Sequence, residues 1–231
     1  MTAVARAGAA GVGVIAVLVA PIVAAGGGRN MAQALSRLAT HDMLSGNACN
    51  LWWIVGYLVR ASYSVEEYGV WGALSRDTRV LQTSRFMEVG YPDPRLIGAV
   101  LAAGAIAWGV WNARRSRDVW LASALGAFLI HAYATLAAQV HENHLYAAVP
   151  LLTLAAAGRR RFVPVLVAVS IVFGLNLNVF YGISEEAGYA IPRSLTPIDL
   201  TVVLALANCA VLVWHAAVLR RECLIDLCPR S

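Results

Sequence analysis

The chain contains no lysine: all eighteen basic residues are arginine. Charge of either sign is scarce, at 13% of 231 residues, about half of what a soluble domain carries. That scarcity excludes an ordinary soluble globule. The net charge of +5 does not point to nucleic acid, because the arginines fall in short clusters at the ends of apolar runs and read as topology signals. Cysteine is also rare, and Cys49, Cys209, Cys223 and Cys228 lack metal-ligand spacing. Cys223 and Cys228 fall in an expected cytoplasmic tail, where a structural disulfide does not persist. Internal repeats, low-complexity tracts and interdomain linkers are missing, so the expectation is a single membrane domain over 1–231. What the chain has in quantity is apolar residues, 59% of the total, with a mean hydropathy of +0.65. Arginine as the one basic residue, with abundant Ala, Val and Gly, points to a GC-rich bacterial genome.

The expected fold class is all-α, a polytopic helical membrane protein. A spanning helix needs roughly 20 apolar residues. Five segments meet that length well: Ala7 to Gly26, Leu96 to Ala113, Val119 to Gln139, Phe162 to Gly182 and Leu200 to Leu219. Leu145 to Gly158 is shorter and is extended by Asn143 and His144, giving about six spans. Arg114-Arg115-Ser116-Arg117, Arg159-Arg160-Arg161 and Arg220-Arg221 are dense basic clusters, which the positive-inside rule puts in the cytoplasm with both termini. The turn His141 to His144 and the loop Ile183 to Asp199 then face outward from a bacterial plasma membrane. The first apolar run also has signal-peptide character, but it exceeds the usual 7–15-residue core, so an uncleaved span is expected.

Residues 27–94 form one long external loop. Met31, Leu35 and Leu38 against Gln33, Ser36 and Arg37 make a helical stripe suited to the membrane surface. The stretch from Asn47 to Leu58 is apolar, short and rich in Trp and Tyr, which suits a re-entrant or interfacial helix. An aromatic and charged stretch from Tyr63 ends at the breaker Tyr91-Pro92-Asp93-Pro94.

Two clusters carry candidate chemistry. Val140-His141-Glu142-Asn143-His144-Leu145-Tyr146 sets two imidazoles and a carboxylate where an apolar run emerges into the headgroup layer. Ionisable groups at that depth are costly unless they face a polar cavity. A zinc site would need a third ligand and a different spacing, so neither metal nor cofactor is expected. Anion recognition by His and Asn donors, with Glu142 orienting an imidazole or taking a sugar hydroxyl, competes with a polar helix end solvated by headgroups. The second cluster, Asn47-Ala48-Cys49-Asn50-Leu51-Trp52-Trp53, mixes amides and indoles. That mixture suits carbohydrate and membrane anchoring equally. His41 and Asp42 before it add acid/base potential, while helix capping is the commoner fate of such an Asp. His131, mid-span, reads as a buried histidine bonded to a neighbouring helix. Asn176 and Asn178 suit either a cavity wall or interhelical hydrogen bonds.

Together these clusters resemble the GT-C superfamily of glycosyltransferases, multi-span enzymes that use polyprenyl-phosphate sugars. His141-Glu142-Asn143-His144 followed by an apolar run with Pro150 resembles the family's His-Glu motif. Ser45-Gly46-Asn47-Ala48-Cys49-Asn50-Leu51-Trp52-Trp53 resembles its Asn-x-x-Asn-hydrophobic-Trp motif. The resemblance covers about Ala7 to Arg221 and maps to the carboxy-terminal half of the family. It implies inverting transfer of a sugar, mannose-type, from a polyprenyl-phosphate donor to an extracytoplasmic acceptor. His141 and His144 would then stabilise the leaving phosphate, helped by Arg85 or Arg95, and Glu142, Asn143, Asn47, Asn50, Trp53, His41 and Asp42 complete the substrate-binding set. The family's catalytic base is an aspartate just after the first span. This chain has no acidic residue before Asp42, so no catalytic residue is assigned. Membrane lipids and a membrane protein partner are the other expected partners. A non-catalytic subunit that binds a lipid-linked sugar is the rival reading. A small-solute transporter is a third, weakened by the lack of inverted repeats.

Overall fold

The structure is a computed structural model that describes residues 3–39, 42–88, 90–182 and 191–227. The chain divides into two compact units, Met1–His41 and Asp42–Ser231. In the first, α1 (Ala3–Ala24) is a 22-residue helix that carries Pro21 in its last turn. Gly26 then takes a positive φ of 79°, which only glycine adopts at no steric cost, and the chain turns into α2 (Gly28–Ala39). The amphipathic segment expected around Met31 is therefore helical.

The second unit begins with β1 (Ser45–Gly46) and α3 (Leu51–Leu74), followed by the short α4 (Thr83–Glu88) and the apolar α5 (Pro94–Ala113). After α6 (Val119–Leu136) come β2 (Val140–His141), a 3₁₀ turn over Glu142–Ala147 and α7 (Ala148–Gly158). The last elements are α8 (Val163–Tyr181) and α9 (Leu200–Leu227). Four helices among the described residues are long and apolar enough to cross a membrane: Pro94–Ala113, Val119–Leu136, Arg160–Tyr181 and Leu200–Asp226. The protein thus has integral-membrane character. The segment Leu145 to Gly158 is instead split between the 3₁₀ turn and α7, whose 11 residues reach roughly 16 Å, about half a hydrocarbon core.

Small residues let these helices approach closely. Ala124, Ala127, Ala132, Ala148 and Ala155 have no exposed surface. A Cβ on Gly158 would lie 2.2 Å from the Trp120 indole, and one on Gly109 would lie 2.8 Å from the Phe128 ring.

Two loops and the end of α9 meet at one end of this bundle. Arg159 binds Asp118, Glu222 at 3.2 Å and Asp226 at 2.8 Å, while Arg161 binds Glu222 at 2.8 Å. Ser116 donates to Asp226 at 2.7 Å. The three arginine clusters read as topology signals thus share one end, and Arg159 and Arg161 also tie the chain together there.

α3 is longer than the interfacial helix expected for Asn47 to Leu58. Asn50 caps it, accepting the Trp53 N–H at 3.1 Å. The helix runs on to a break at Gly69, whose φ is 67°. The two tryptophans at its start do not face outward: Trp52 and Trp53 are each only 3% exposed and pack inside the protein. The reason is that both indole N–H groups have internal acceptors. Trp52 donates to the Leu136 carbonyl at 2.8 Å and Trp53 to the Thr201 hydroxyl at 2.7 Å.

Candidate functional site

Backbone pairing brings the two clusters together. β1 and β2 are parallel, with Ser45 opposite Val140 and Gly46 opposite His141. Asn47 bridges to His141 as well. The approach is close enough to require glycine, because a Cβ on Gly46 would lie 2.6 Å from His141 Nδ1. Asn47 follows with a φ of 55°, a left-handed conformation that asparagine tolerates better than most residues. Gln139 enters β2 with a φ of 63° and donates its backbone N–H to Leu44 at 2.9 Å. The Gly-Asn pair in the first cluster is thus a consequence of the turn the chain makes beside His141. Gly46→Ala should push the His141 ring out of position and destabilise the protein by about 1–3 kcal/mol. A thermal melt in mild detergent unchanged from wild type would sink that expectation.

Asparagines on α8 and α9 hold the turn. Asn176 accepts the Cys49 N–H at 2.6 Å and donates to the Asn47 carbonyl at 2.9 Å. Asn208 donates to the Cys49 carbonyl at 3.0 Å and to the Thr135 hydroxyl at 3.2 Å. Its Oδ1 can only accept, so His131, 3.1 Å away through Nε2, carries the hydrogen there. His131 reaches His215 across 3.4 Å in turn. A chain of buried polar groups therefore runs from the bundle interior to the Asn47–Asn50 turn.

Between turn and bundle lies a narrow cleft enclosing about 280 Å³ of empty space, part of it open to solvent. His141, Glu142, Asn50, Asn176, Asn208 and Cys49 contribute its polar lining. His141 and Glu142 are 3.9 Å apart, and the Glu142 side chain is 15% exposed. One of its oxygens, Oε2, is buried with no hydrogen-bond partner among the described residues. Burial pushes the Cys49 thiol well above its usual range, with the Asp199 carboxylate acting in the same direction, so Cys49 is no nucleophile here.

The remaining expected residues have other places. His144 does not line the cleft: its Nδ1 accepts the His141 backbone N–H at 3.0 Å, and the two rings stack with centroids 6.1 Å apart. Asn143 is exposed. Asn47 takes part through its backbone, with its side chain 3.5 Å from the Tyr181 hydroxyl. Trp53 supports the turn from within the core. Asp42 binds Ser84, through the backbone N–H at 2.8 Å and the hydroxyl at 2.6 Å. Arg95 is paired with Asp93 at 3.0 Å. His41 lies outside the described residues.

Asn208 is the lining residue that sequence reading missed. It sits in an apolar run, and a single polar residue there carries no pattern of its own. Its signal was the presence of two further polar groups, His131 and His215, in other apolar runs or at other heights.

Set against known families, curated proteins and solved structures, the chain matches none of them.

Proposed function

We propose that the cleft is the donor-side site of a membrane glycosyltransferase that uses a polyprenyl-phosphate sugar. One observation supports this reading: Ser45–Gly46 pairs with Val140–His141, so two clusters far apart in sequence, each resembling a GT-C motif, wall a single cleft. An imidazole beside a largely buried carboxylate supplies a donor for a leaving phosphate and an acceptor for a sugar hydroxyl. His141 holds the phosphoryl oxygen, and Glu142 orients His141 and the sugar. In the transfer, the acceptor hydroxyl gives up its proton to a base and its oxygen bonds to the anomeric carbon, while the bonding pair of the breaking C–O bond leaves with the lipid phosphate, with inversion. The proposal includes about six spans, with α1 and the region of α7 completing the count. It also puts the cleft on the extracytoplasmic side of a bacterial plasma membrane and the arginine clusters and termini in the cytoplasm.

The cleft also supports a second reading. Glu142 is the one carboxylate lining it among the described residues, whereas transfer needs a base for the acceptor hydroxyl as well as groups on the phosphate. A subunit that binds the lipid-linked sugar beside a partner enzyme needs no such base.

The test is transfer of radiolabelled mannose from polyprenyl phosphate in membranes containing the native protein. His141→Ala and Glu142→Gln should each reduce transfer at least a hundredfold, the usual range for removing a transition-state donor. Wild-type transfer by both variants would refute the cleft assignment. Lipid-sugar binding without transfer by the purified chain would favour the subunit.

A further inference from the structure

A second cavity lies beside α3 and shares no lining residue with the His141 cleft. It encloses about 390 Å³ of empty space, part of it open to solvent. Tyr57, Arg60, Ala61 and Ser64 form one wall. Their spacing of three and four residues puts them on one face of α3. The break at Gly69 returns the chain so that Ala73, Arg76, Asp77 and Thr78 form the other wall. The fold-back is fastened by Tyr57, which donates to the Leu74 carbonyl at 2.5 Å, and by Asp199, which accepts the Thr78 N–H at 2.6 Å.

Two polar atoms in this cavity are orphaned. Arg60 Nη1 and Thr78 Oγ1 are both buried and have no hydrogen-bond partner among the described residues. A buried guanidinium nitrogen without a protein acceptor is costly, and the adjoining space leaves room for an acceptor from outside the chain. The charge balance agrees. Arg60 and Arg76 face the single carboxylate of Asp77, which leaves the lining with one positive charge in excess. Arg79 and Arg193 also act on Arg60 and add to the field, and the Asp199 carboxylate opposes them. Asp199 is itself engaged by Arg193 and by the Thr201 hydroxyl at 2.7 Å. Arg76 lies over the Tyr68 ring at 4.0 Å. Elsewhere on the same helix, Tyr63, Tyr68 and Trp71 are exposed by 61%, 45% and 81%, the residue types that settle at headgroup depth.

We infer that this cavity binds a phosphoryl group, with Arg60 and Thr78 donating to its oxygens and Arg76 closing the outer side. A phosphoryl group offers acceptors in several directions, which suits donors arriving from two walls, and guanidinium matches its geometry better than ammonium does. The group comes either from a lipid headgroup, whose chains would lie along the exposed aromatic residues of α3, or from free phosphate. The inference stands apart from the transferase reading and survives the failure of that reading.

The purified full-length chain in mild detergent is tested with two probes, radiolabelled inorganic phosphate and short-chain phosphatidylglycerol, with short-chain phosphatidylcholine as the zwitterionic comparison. Saturable binding of inorganic phosphate identifies a free phosphoryl site. Binding of phosphatidylglycerol over phosphatidylcholine without inorganic phosphate identifies a headgroup site. In either case Arg60→Gln should weaken binding tenfold or more, whereas Arg115→Gln, in the loop after α5, should leave it unchanged. If Arg60→Gln does not fold, Arg76→Gln on the exposed side replaces it and should weaken binding as well. No saturable binding of either probe, or wild-type affinity in the folded arginine variant, overturns the inference.

Discussion

Asn176→Leu should destabilise the protein by about 2–4 kcal/mol and expose Cys49 to thiol reagents. Asn176 is 6% exposed and makes two hydrogen bonds to the backbone of the Asn47–Asn50 turn, one to the Cys49 N–H and one to the Asn47 carbonyl. Leucine has similar volume, so the change removes polar partners without opening a large cavity. A buried backbone group left unpaired costs about 1–3 kcal/mol, and two are orphaned at once. Compared with the 5–15 kcal/mol that holds a typical domain together, that loss is large.

The turn also carries Gly46 and Asn47, the backbone against which His141 is positioned, so the same variant should lose function at the cleft. Thermal melts in detergent report the stability, and modification by a maleimide reports Cys49, which is 3% exposed in the wild type. Asn178→Leu is the comparison. Asn178 accepts one bond, from the Ile191 N–H at 3.1 Å, outside the turn, and its loss should leave Cys49 protected. Equal melting temperatures and equal labelling for Asn176→Leu and wild type would show that the turn does not depend on α8.

Why was some of this visible in the residues and some not? The helical class and four apolar helices follow from run length and hydropathy, which one dimension carries in full. The short α7 was harder. Its apolar run begins at Leu145, but the 3₁₀ turn consumes Leu145 to Ala147 before the helix starts, and that boundary depends on His144 binding the His141 backbone. Each cluster stood out in the sequence as polar residues beside apolar runs. Their contact did not, because a two-residue parallel pairing has no periodicity to read. The roles within the clusters shifted for the same reason. Asn50 and Trp53 have the residue types of a carbohydrate site, yet here one caps α3 and the other bonds Thr201. A single sequence cannot tell an amide that faces a ligand from one that fastens a turn. Arg60 and Thr78 were invisible as a pair, since the break at Gly69 alone brings their two walls together.

At the opposite end of the bundle, Arg159→Leu should cost about 3–5 kcal/mol at neutral pH, the usual result of removing one partner from a buried ion pair. Arg159 serves three carboxylates, and Arg161 relieves only Glu222. The Asp118 and Glu222 side chains are 18% and 6% exposed, so the variant leaves negative charge where water screens it poorly. The pH dependence follows from Asp118. Burial pushes its carboxyl up, but the Arg159 guanidinium and the Trp120 and Leu121 N–H groups outweigh burial and hold it below the ordinary value of 3.8. A carboxyl with a lowered folded-state pKa stabilises the fold above its unfolded value and loses that contribution as pH falls through the folded one. Wild-type stability should therefore hold down to about pH 5 and fall below about pH 4. In Arg159→Leu the burial effect on Asp118 is no longer outweighed by the guanidinium, and protonation relieves the stranded charge. The difference between wild type and variant should accordingly be widest near pH 7 and narrow as pH drops below about 4. Melting temperatures of both proteins across that range measure it. A constant difference would mean that Arg159 contributes through packing of its stem and not through its charge.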